Sequence, residues 1–498
     1  MNHISGLIKT LVFSVLIFSI SCKPSEKEIN PLPNIVFVLA DDMGYGDPQC
    51  YNPDSGIPTP NIDKLASEGM MFRDAHSAGA WCVPARYGLL TGQYPGRVKL
   101  NWQQRSLIEP GQETLAGMFR QNGYRTACIG KWHLGFDNIN WKEADKNDIL
   151  TGGPVEHGFD YFFGMHASLD IPPYFYIEND RLVEKASGFV EDNFSDDATS
   201  DISGAFWRKG ACSPGFKHEE VLDVFFQKAE KFISDHVEKK PDEPFFLYFP
   251  LTAPHTPWLP KAEFVDKSGA GEYGDFTMQV DDLLGKLQKF LKGKGLKENT
   301  LVVFTTDNGP VWFEEDINKF GHDSKGGLKG MKIDLWEGGS RVPFIVSWPG
   351  KIPAGTSSDQ LIGFTDMMAT FASVVGDIET DPTKFDSYDL SPAFFNKNYS
   401  IPIRRELVIQ DRVFRKDNYK LIMGTGLGSL SKRFDNEGVY LSEEKNNGEL
   451  YDLKNDLAEK VNLYEKEPLR VQQMKVEFEE IMKQVYVPEE GSELPKKN

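Results

Sequence analysis

Two pairs of oxygen donors stand far apart in the chain, Asp41-Asp42 and Asp307-Asn308, and together they offer three carboxylates and one amide oxygen. Hard donors of this kind favour calcium or magnesium over zinc, and no clustered Cys/His set competes with them. A second group is cationic or can become so: Arg86, Lys131, His133, His255 and Lys332. A metal opposed by four or five such donors describes a site for a tetrahedral oxyanion. Cys82 lies just ahead of Pro84, a residue suited to the first turn of a helix. Residue 82 would then sit at the positive N-terminal end of that helix, where an oxyanion or alkoxide is favoured. Arg86 falls one helical turn further on, able to fix residue 82 and to steady developing charge.

These residues must be gathered from across the chain, and short apolar runs of strand length precede them. Asn34 to Leu39 leads to Asp41-Asp42, Arg125 to Ile129 to Lys131 and His133, Phe245 to Phe249 to His255, and Leu301 to Phe304 to Asp307-Asn308; Pro343 to Val346 is a fifth run. Their apolarity is continuous rather than alternating, as in strands buried on both faces. Helical patterns lie between them: Thr59-Pro60 starts one, and Val280, Leu283, Leu284, Leu287, Phe290 and Leu291 form a stripe at helical spacing. The alternation predicts an α/β domain with a mainly parallel central sheet between helices. Such sheets bind ligands at the carboxyl ends of their strands, so the clusters should converge in one crevice.

From about 136 to 220 the chain is rich in Asp, Asn, Gly and aromatics with weak periodicity, which reads as a long irregular insertion near the site. After about 377 the alternation fades. RELVIQ, YKLIMGTG and GELYDL look like short strands ahead of a closing helix near 467–485. The expected organisation is a catalytic domain over 34–377 and a small C-terminal α+β subdomain over 378–498.

At 498 residues and 40% hydrophobic composition the chain can bury a large core. Fifty-five basic against 74 acidic residues give a formal charge of −19, and no polybasic run interrupts it, which argues against a nucleic-acid partner. An anionic substrate would be repelled as well, so its site must be a small pocket of local cations. Residues 1–21 carry Lys9, the apolar run LVFSVLIFSI and small residues before Cys22, and read as an export signal. Ser19-Ile20-Ser21-Cys22 resembles a relaxed lipobox. The expectation is lipidation at Cys22, with residues 22–33 as a tether, placing the chain in the periplasm or at the cell surface; an ordinary signal peptide and secretion is the alternative. The membrane would then be a partner only through that lipid anchor. If Cys22 is lipidated and Cys82 converted, Cys50, Cys128 and Cys212 remain, an odd number that argues against a disulfide-built scaffold.

Cys82-Val83-Pro84-Ala85-Arg86, trailed by Leu90-Thr91-Gly92, resembles the signature of the type I, formylglycine-dependent sulfatases of the alkaline phosphatase superfamily. The resemblance extends to GKWHLG around Lys131, PHTP around His255, TDNG at Asp307, LKGMK ending at Lys332, and EGGSRVPFIVSWPG. Ala85 replaces the commoner serine, and Leu457 stands where a proline is usual. The resemblance implies an alkaline-phosphatase-like fold and hydrolysis of a sulfate ester of a carbohydrate or polysaccharide. It implies that a maturation enzyme oxidises Cys82 to formylglycine, whose hydrate is the nucleophile, and that one calcium ion is held by Asp41, Asp42, Asp307, Asn308 and residue 82. It further assigns Lys131, His133 and Lys332 to the sulfate oxygens, His255 to protonation of the leaving alcohol, and His133 as a candidate base. The nearest alternative is a phosphate or phosphonate ester hydrolase of the same superfamily; a glycan-binding lipoprotein whose cysteine never matures is a second. Sugar contacts are expected among His166, Asp170, Trp312, His322 and Asp323, which flank the motifs in polar, turn-rich stretches, while His76, His157, His218 and His236 read as structural or surface residues.

Overall fold

The computed structural model describes residues 32–137, 141, 147–195, 200, 202–377, 380–426, 428 and 448–484. The signal segment and Cys22 lie outside the described residues. The strands before the C-terminal region are β1 (Asn34–Asp41), β2 (Met70–His76), β3 (Arg125–Lys131), β4 (Tyr161–Met165), β5 (Ile177–Glu178), β6 (Arg181–Leu182), a separate pair β7 (Gly188–Val190) and β8 (Gly210–Cys212), then β9 (Phe245–Pro254), β10 (Thr300–Thr306), β11 (Phe344–Ser347) and β12 (Thr356–Gly363). The five predicted runs are β1, β3, β9, β10 and β11, and the others were not foreseen. Ten of them form one sheet in the order β12-β2-β11-β10-β1-β9-β3-β4-β5-β6. The central strands β10, β1, β9, β3 and β4 run parallel, while β11 is antiparallel to both its neighbours.

Continuous apolarity in β1 has a direct structural cause. Ile35, Phe37 and Leu39 enter one hydrophobic cluster, and Val36, Val38 and Ala40 enter the other, because successive side chains of a strand point to opposite faces. The first cluster is closed by α2 (Cys82–Thr91) and α3 (Leu115–Gln121), through Val83, Tyr87, Leu115 and Phe119, and by the helix Met367–Val375. The second is closed by α1 (Pro60–Ser67), α4 (Val221–Lys239) and α5 (Gly271–Gly293), with the Val280, Leu283, Leu284, Leu287 and Leu291 stripe buried. The result is a three-layer α/β arrangement around two cores.

The stretch from 136 to 220, expected to be irregular, contributes β4 to the central sheet. Ala127 to Lys131 pair in parallel with Tyr161 to Met165. The C-terminal region carries a four-stranded antiparallel sheet, β13 (Glu406–Ile409), β14 (Val413–Lys416), β15 (Tyr419–Ile422) and β16 (Glu449–Asp452), followed by the helix Pro468–Lys483. Three of these strands and the helix match the expected segments; β14 was not foreseen. Among the described residues no helix is long and apolar enough to cross a membrane.

Candidate active site

The sheet order brings four polar clusters together, since β10, β1, β9 and β3 are consecutive neighbours whose carboxyl ends face one way. Asp41 ends β1, Lys131 ends β3, His255 follows Pro254 of β9, and Asp307 follows Thr306 of β10. Residue 82 begins α2, with Trp81 as the flanking extended residue, so it occupies the helix N-terminus that Pro84 predicts. Two backbone positions at the site, Asp42 (φ 64°) and His133 (φ 60°), adopt the left-handed conformation unusual for non-glycine residues.

Cys82 Sγ lies 3.2 Å from Lys131 Nζ and 3.5 Å from Asp41 Oδ1. Lys131 Nζ donates to Asp41 Oδ2 at 2.5 Å, and Lys332 Nζ donates to Asp42 Oδ2 at 2.7 Å. Arg86 is fully buried and donates to Asp307 Oδ2 through Nε (3.1 Å) and Nη2 (2.7 Å), and to the Lys131 carbonyl through Nη1 (2.8 Å). The guanidinium therefore braces Asp307 and the end of β3 rather than residue 82 itself. Asp42 accepts from Asn308 Nδ2 at 2.7 Å, and its own backbone N–H donates to Asp307 Oδ1 at 3.2 Å. The backbone of Lys332 donates to Pro310 O and that of Ile333 to Ala80 O, which pins the Lys332 loop between the Asp307 loop and the Cys82 loop.

Charge and burial decide how these groups ionise. Burial works against ionised Asp41, but Lys131, His255, Arg86 and Lys332 overcome it and hold its carboxyl well below the usual range. Burial and the adjacent Asp41 push Asp307 up to about 6 despite Arg86. Burial, Lys131 and Arg86 hold His133 well below its ordinary value, and neither of its ring nitrogens has a hydrogen-bond partner among the described residues. Burial also pushes the Cys82 thiol upward, so an unmodified thiol there would stay protonated and unreactive.

The donor set fits a hard divalent cation. Asn308 Oδ1 is buried without a hydrogen-bond partner, and Asp41, Asp42, Cys82 and His255 offer ligand atoms all within 4.8 Å of one another. Asp41, Asp42 and Asp307 balance Lys131, Lys332 and Arg86 in formal charge, so a divalent cation would tip the cluster positive and suit it to an oxyanion. A second acidic group, Asp74, His76 and Glu337, is matched by Arg341, Arg415 and Lys420 and forms an ion network between the central sheet and the C-terminal sheet.

Beside the cluster opens a pocket lined by Asp42, His255, Lys332 and Asp170, together with Arg208 and Trp258 among others. Of the five residues expected to touch sugar, the pocket wall contains Asp170. Trp312 is fully buried with its indole N–H donating to His322 O, and His322 is held by Asp47 Oδ1 (2.9 Å) and the Gly56 N–H, so both are packing residues. Asp323 accepts from the backbone of Lys325 and Gly327 in a turn, and His166 is buried against Trp141 and Phe175 with Nε2 on Pro173 O. Sequence reasoning missed Arg208, Trp258 and Tyr273 in the pocket, and Trp102, whose ring meets His133 edge-on at 4.3 Å. None of these belongs to a motif.

A mainly parallel sheet covered on both faces, with carboxylates, an amide and cations at its carboxyl edge, defines a hydrolase of the alkaline phosphatase superfamily. The sulfatase family profile matches residues 33–377, and the chain belongs to the sulfatase family: it is a sulfuric ester hydrolase. It is similar to the N-acetylgalactosamine-6-O-sulfatase of Bacteroides thetaiotaomicron, 31% identical over 489 aligned positions that cover 89% of this chain and 91% of that one. The N-acetylgalactosamine-6-sulfatase of the dog (Canis lupus familiaris) is 32% identical over 374 positions, covering 72% of this chain and 66% of that one. Among solved structures, a sulfatase from a Bacteroides thetaiotaomicron locus for glycosaminoglycan metabolism superposes with a TM-score of 0.77 at 28% identity, covering 91% of this chain and all of that one.

Proposed function

We propose that this sulfatase removes the sulfate ester from a 6-O-sulfated N-acetylgalactosamine unit of a glycosaminoglycan, with formylglycine made from Cys82 as nucleophile and one calcium ion. The observation that carries the chemistry is the seat of Cys82 Sγ between Asp41 and Lys131 at a helix N-terminus, buried where a thiol would be inert. The relatives named for N-acetylgalactosamine 6-sulfate support the substrate. Asp41, Asp42, Asp307, Asn308 and residue 82 would hold the calcium. When present, the metal supplies Lewis acidity and the converted residue 82 supplies an oxygen nucleophile.

The chain's own residues do the rest. Lys131 and Lys332 bring their ammonium groups to the sulfate oxygens and neutralise charge as the ester bond breaks. Arg86 keeps Asp307 ionised and fixed. His255 donates through Nδ1 to Thr256 O at 2.6 Å, so Nε2, 3.6 Å from Asp42, hands a proton to the leaving sugar oxygen from the imidazolium form, which burial and Lys332 disfavour and the Asp42 and Asp41 carboxylates support. His133, buried and neutral before the reaction, is free to take the proton released at residue 82 and becomes imidazolium only in that step. Export with lipidation at Cys22, and maturation by a formylglycine-generating enzyme, complete the reading; failure of a fatty-acid label to enter the chain in its native host would remove the anchor.

Sulfate release from chondroitin 6-sulfate disaccharide and from its 4-sulfated isomer tests the function. Release from the 6-sulfated compound alone is expected. Release only from other sulfated sugars would overturn the substrate, and preference for phosphate or phosphonate esters would overturn the chemistry.

A further inference from the structure

Asp170 is 6% exposed and stands in the pocket wall with Asp42, His255 and Lys332. One of its carboxylate oxygens, Oδ2, accepts from Arg208 Nη1 at 2.5 Å. Arg208 also donates to the Asp170 main-chain carbonyl through Nη1 and through its backbone N–H, each at 3.2 Å, so one link holds the carboxylate and two tie the Arg208 segment to the Asp170 backbone. The other oxygen, Oδ1, is buried and has no hydrogen-bond partner among the described residues. Its polar neighbour is His255 Nδ1 at 3.9 Å, beyond hydrogen-bonding range, and that nitrogen is already committed to Thr256 O at 2.6 Å. A charged acceptor left unpaired beside a substrate pocket carries a desolvation penalty that a donor on the ligand would remove.

The segment carrying Arg208 is registered against the loop carrying His255. Gly204 O accepts from Trp258 N and from Thr256 Oγ1, both at 2.8 Å. Arg208 rests over the Phe206 ring at 4.9 Å, with 43% of its side chain exposed where the pocket opens. The pair therefore lines the same pocket as His255 and Lys332, with Asp170 Oδ1 3.9 Å from the His255 ring.

We propose that Asp170, held by Arg208, accepts a hydrogen bond from a hydroxyl of the sulfated sugar and makes the pocket select carbohydrate sulfates over sulfates that bear no such hydroxyl. The inference rests on the sulfatase reading above. An acceptor anion cannot be satisfied by the sulfate group itself, which offers only acceptors, so the donor must come from the ring that carries the sulfate. Asp170 is then a specificity residue and Arg208 a positioning residue.

The test compares two probes on the mature full-length enzyme, N-acetylgalactosamine 6-sulfate and 4-nitrophenyl sulfate, and reads the ratio of their kcat/KM values. Asp170→Asn keeps shape but replaces the anion, and it is expected to lower the sugar-to-aryl ratio about 100-fold. Arg208→Ala should lower the ratio in the same direction, and Arg208→Lys should recover part of it. An unchanged ratio in Asp170→Asn overturns the proposal, whether both rates hold or both fall together; a parallel fall would assign Asp170 to His255 instead. Wild-type enzyme that releases sulfate from neither probe would sink the parent reading itself, a result separate from any change in the ratio.

Discussion

Replacing Arg86 with methionine removes a fully buried cation and leaves the volume of the side chain nearly filled. The guanidinium makes two bonds to Asp307 Oδ2, one to the Lys131 carbonyl, and approaches Asp41 Oδ2 at 3.5 Å. Without it, Asp307 and Asp41 face each other in a dry site with Lys131 as the nearest remaining cation. Breaking one partner from a buried ion pair typically costs about 3–5 kcal/mol. Burial and Asp41 already push Asp307 up to about 6, so without Arg86 its ionised form costs more still. A loss of about 3–5 kcal/mol is therefore the expected size, and it should be partly relieved by adding Asp307→Asn, which deletes the stranded charge. Urea unfolding followed by tryptophan fluorescence of wild type, both single variants and the double variant measures this. A loss below about 1 kcal/mol in Arg86→Met, or a double variant no more stable than Arg86→Met alone, would refute the reasoning.

His255→Ala should lower kcat on a sulfated sugar by roughly 100- to 10,000-fold, and much less on 4-nitrophenyl sulfate, whose leaving group needs no proton; equal losses on both would remove His255 from that role. Exhaustive chelation should abolish sulfate release and lower thermal stability, with calcium restoring both, since a ligand at about 100 times its Kd adds about 2.7 kcal/mol to the folded state. Full activity after chelation would contradict the metal assignment. Asp334, whose carboxylate accepts from the Met331 N–H in the loop that carries Lys332, supplies a pH test read through stability: burial pushes its pKa from 3.8 up to about 7. The folded state then binds a proton more tightly than the unfolded chain, so stability is highest below about 3.8 and falls as pH rises to 7, by on the order of 4 kcal/mol from this group. Asp334→Asn should flatten that part of the profile in pH-dependent unfolding, and an unaltered slope would count against it.

Much of the catalytic edge was legible because β1, β9 and β10 carry continuous apolar runs and β3 a shorter one, and each is followed by the polar residues it delivers. The reason for Gly309 in its motif came only with the structure. A Cβ at Gly309 would meet Gly338 O at 1.8 Å, so the turn after Asp307-Asn308 and the EGG segment approach too closely for any side chain. Strand β4 was not legible, because Tyr161–Met165 is five residues without period and joins the sheet only through its parallel pairing with β3. Strand β14 was hidden by Arg415 and Lys416, which look like surface residues until Asp74 is seen to receive the buried Arg415. Trp312 and His322 show the limit of arguing from proximity to a motif: both lie close to Asp307-Asn308 in sequence, yet the bonds to His322 O and Asp47 turn them into packing. Arg208 lies far from every motif, and only the folded segment 202–212 carries it to Asp170.

The central claim is the identity of residue 82 in the mature enzyme. Mass spectrometry of the peptide spanning Cys82, from protein purified out of its native host, reads it directly. The account predicts the mass loss of a thiol replaced by an aldehyde, in a fraction that rises and falls with specific activity among preparations. Fully active protein carrying only unmodified cysteine at that position would contradict it.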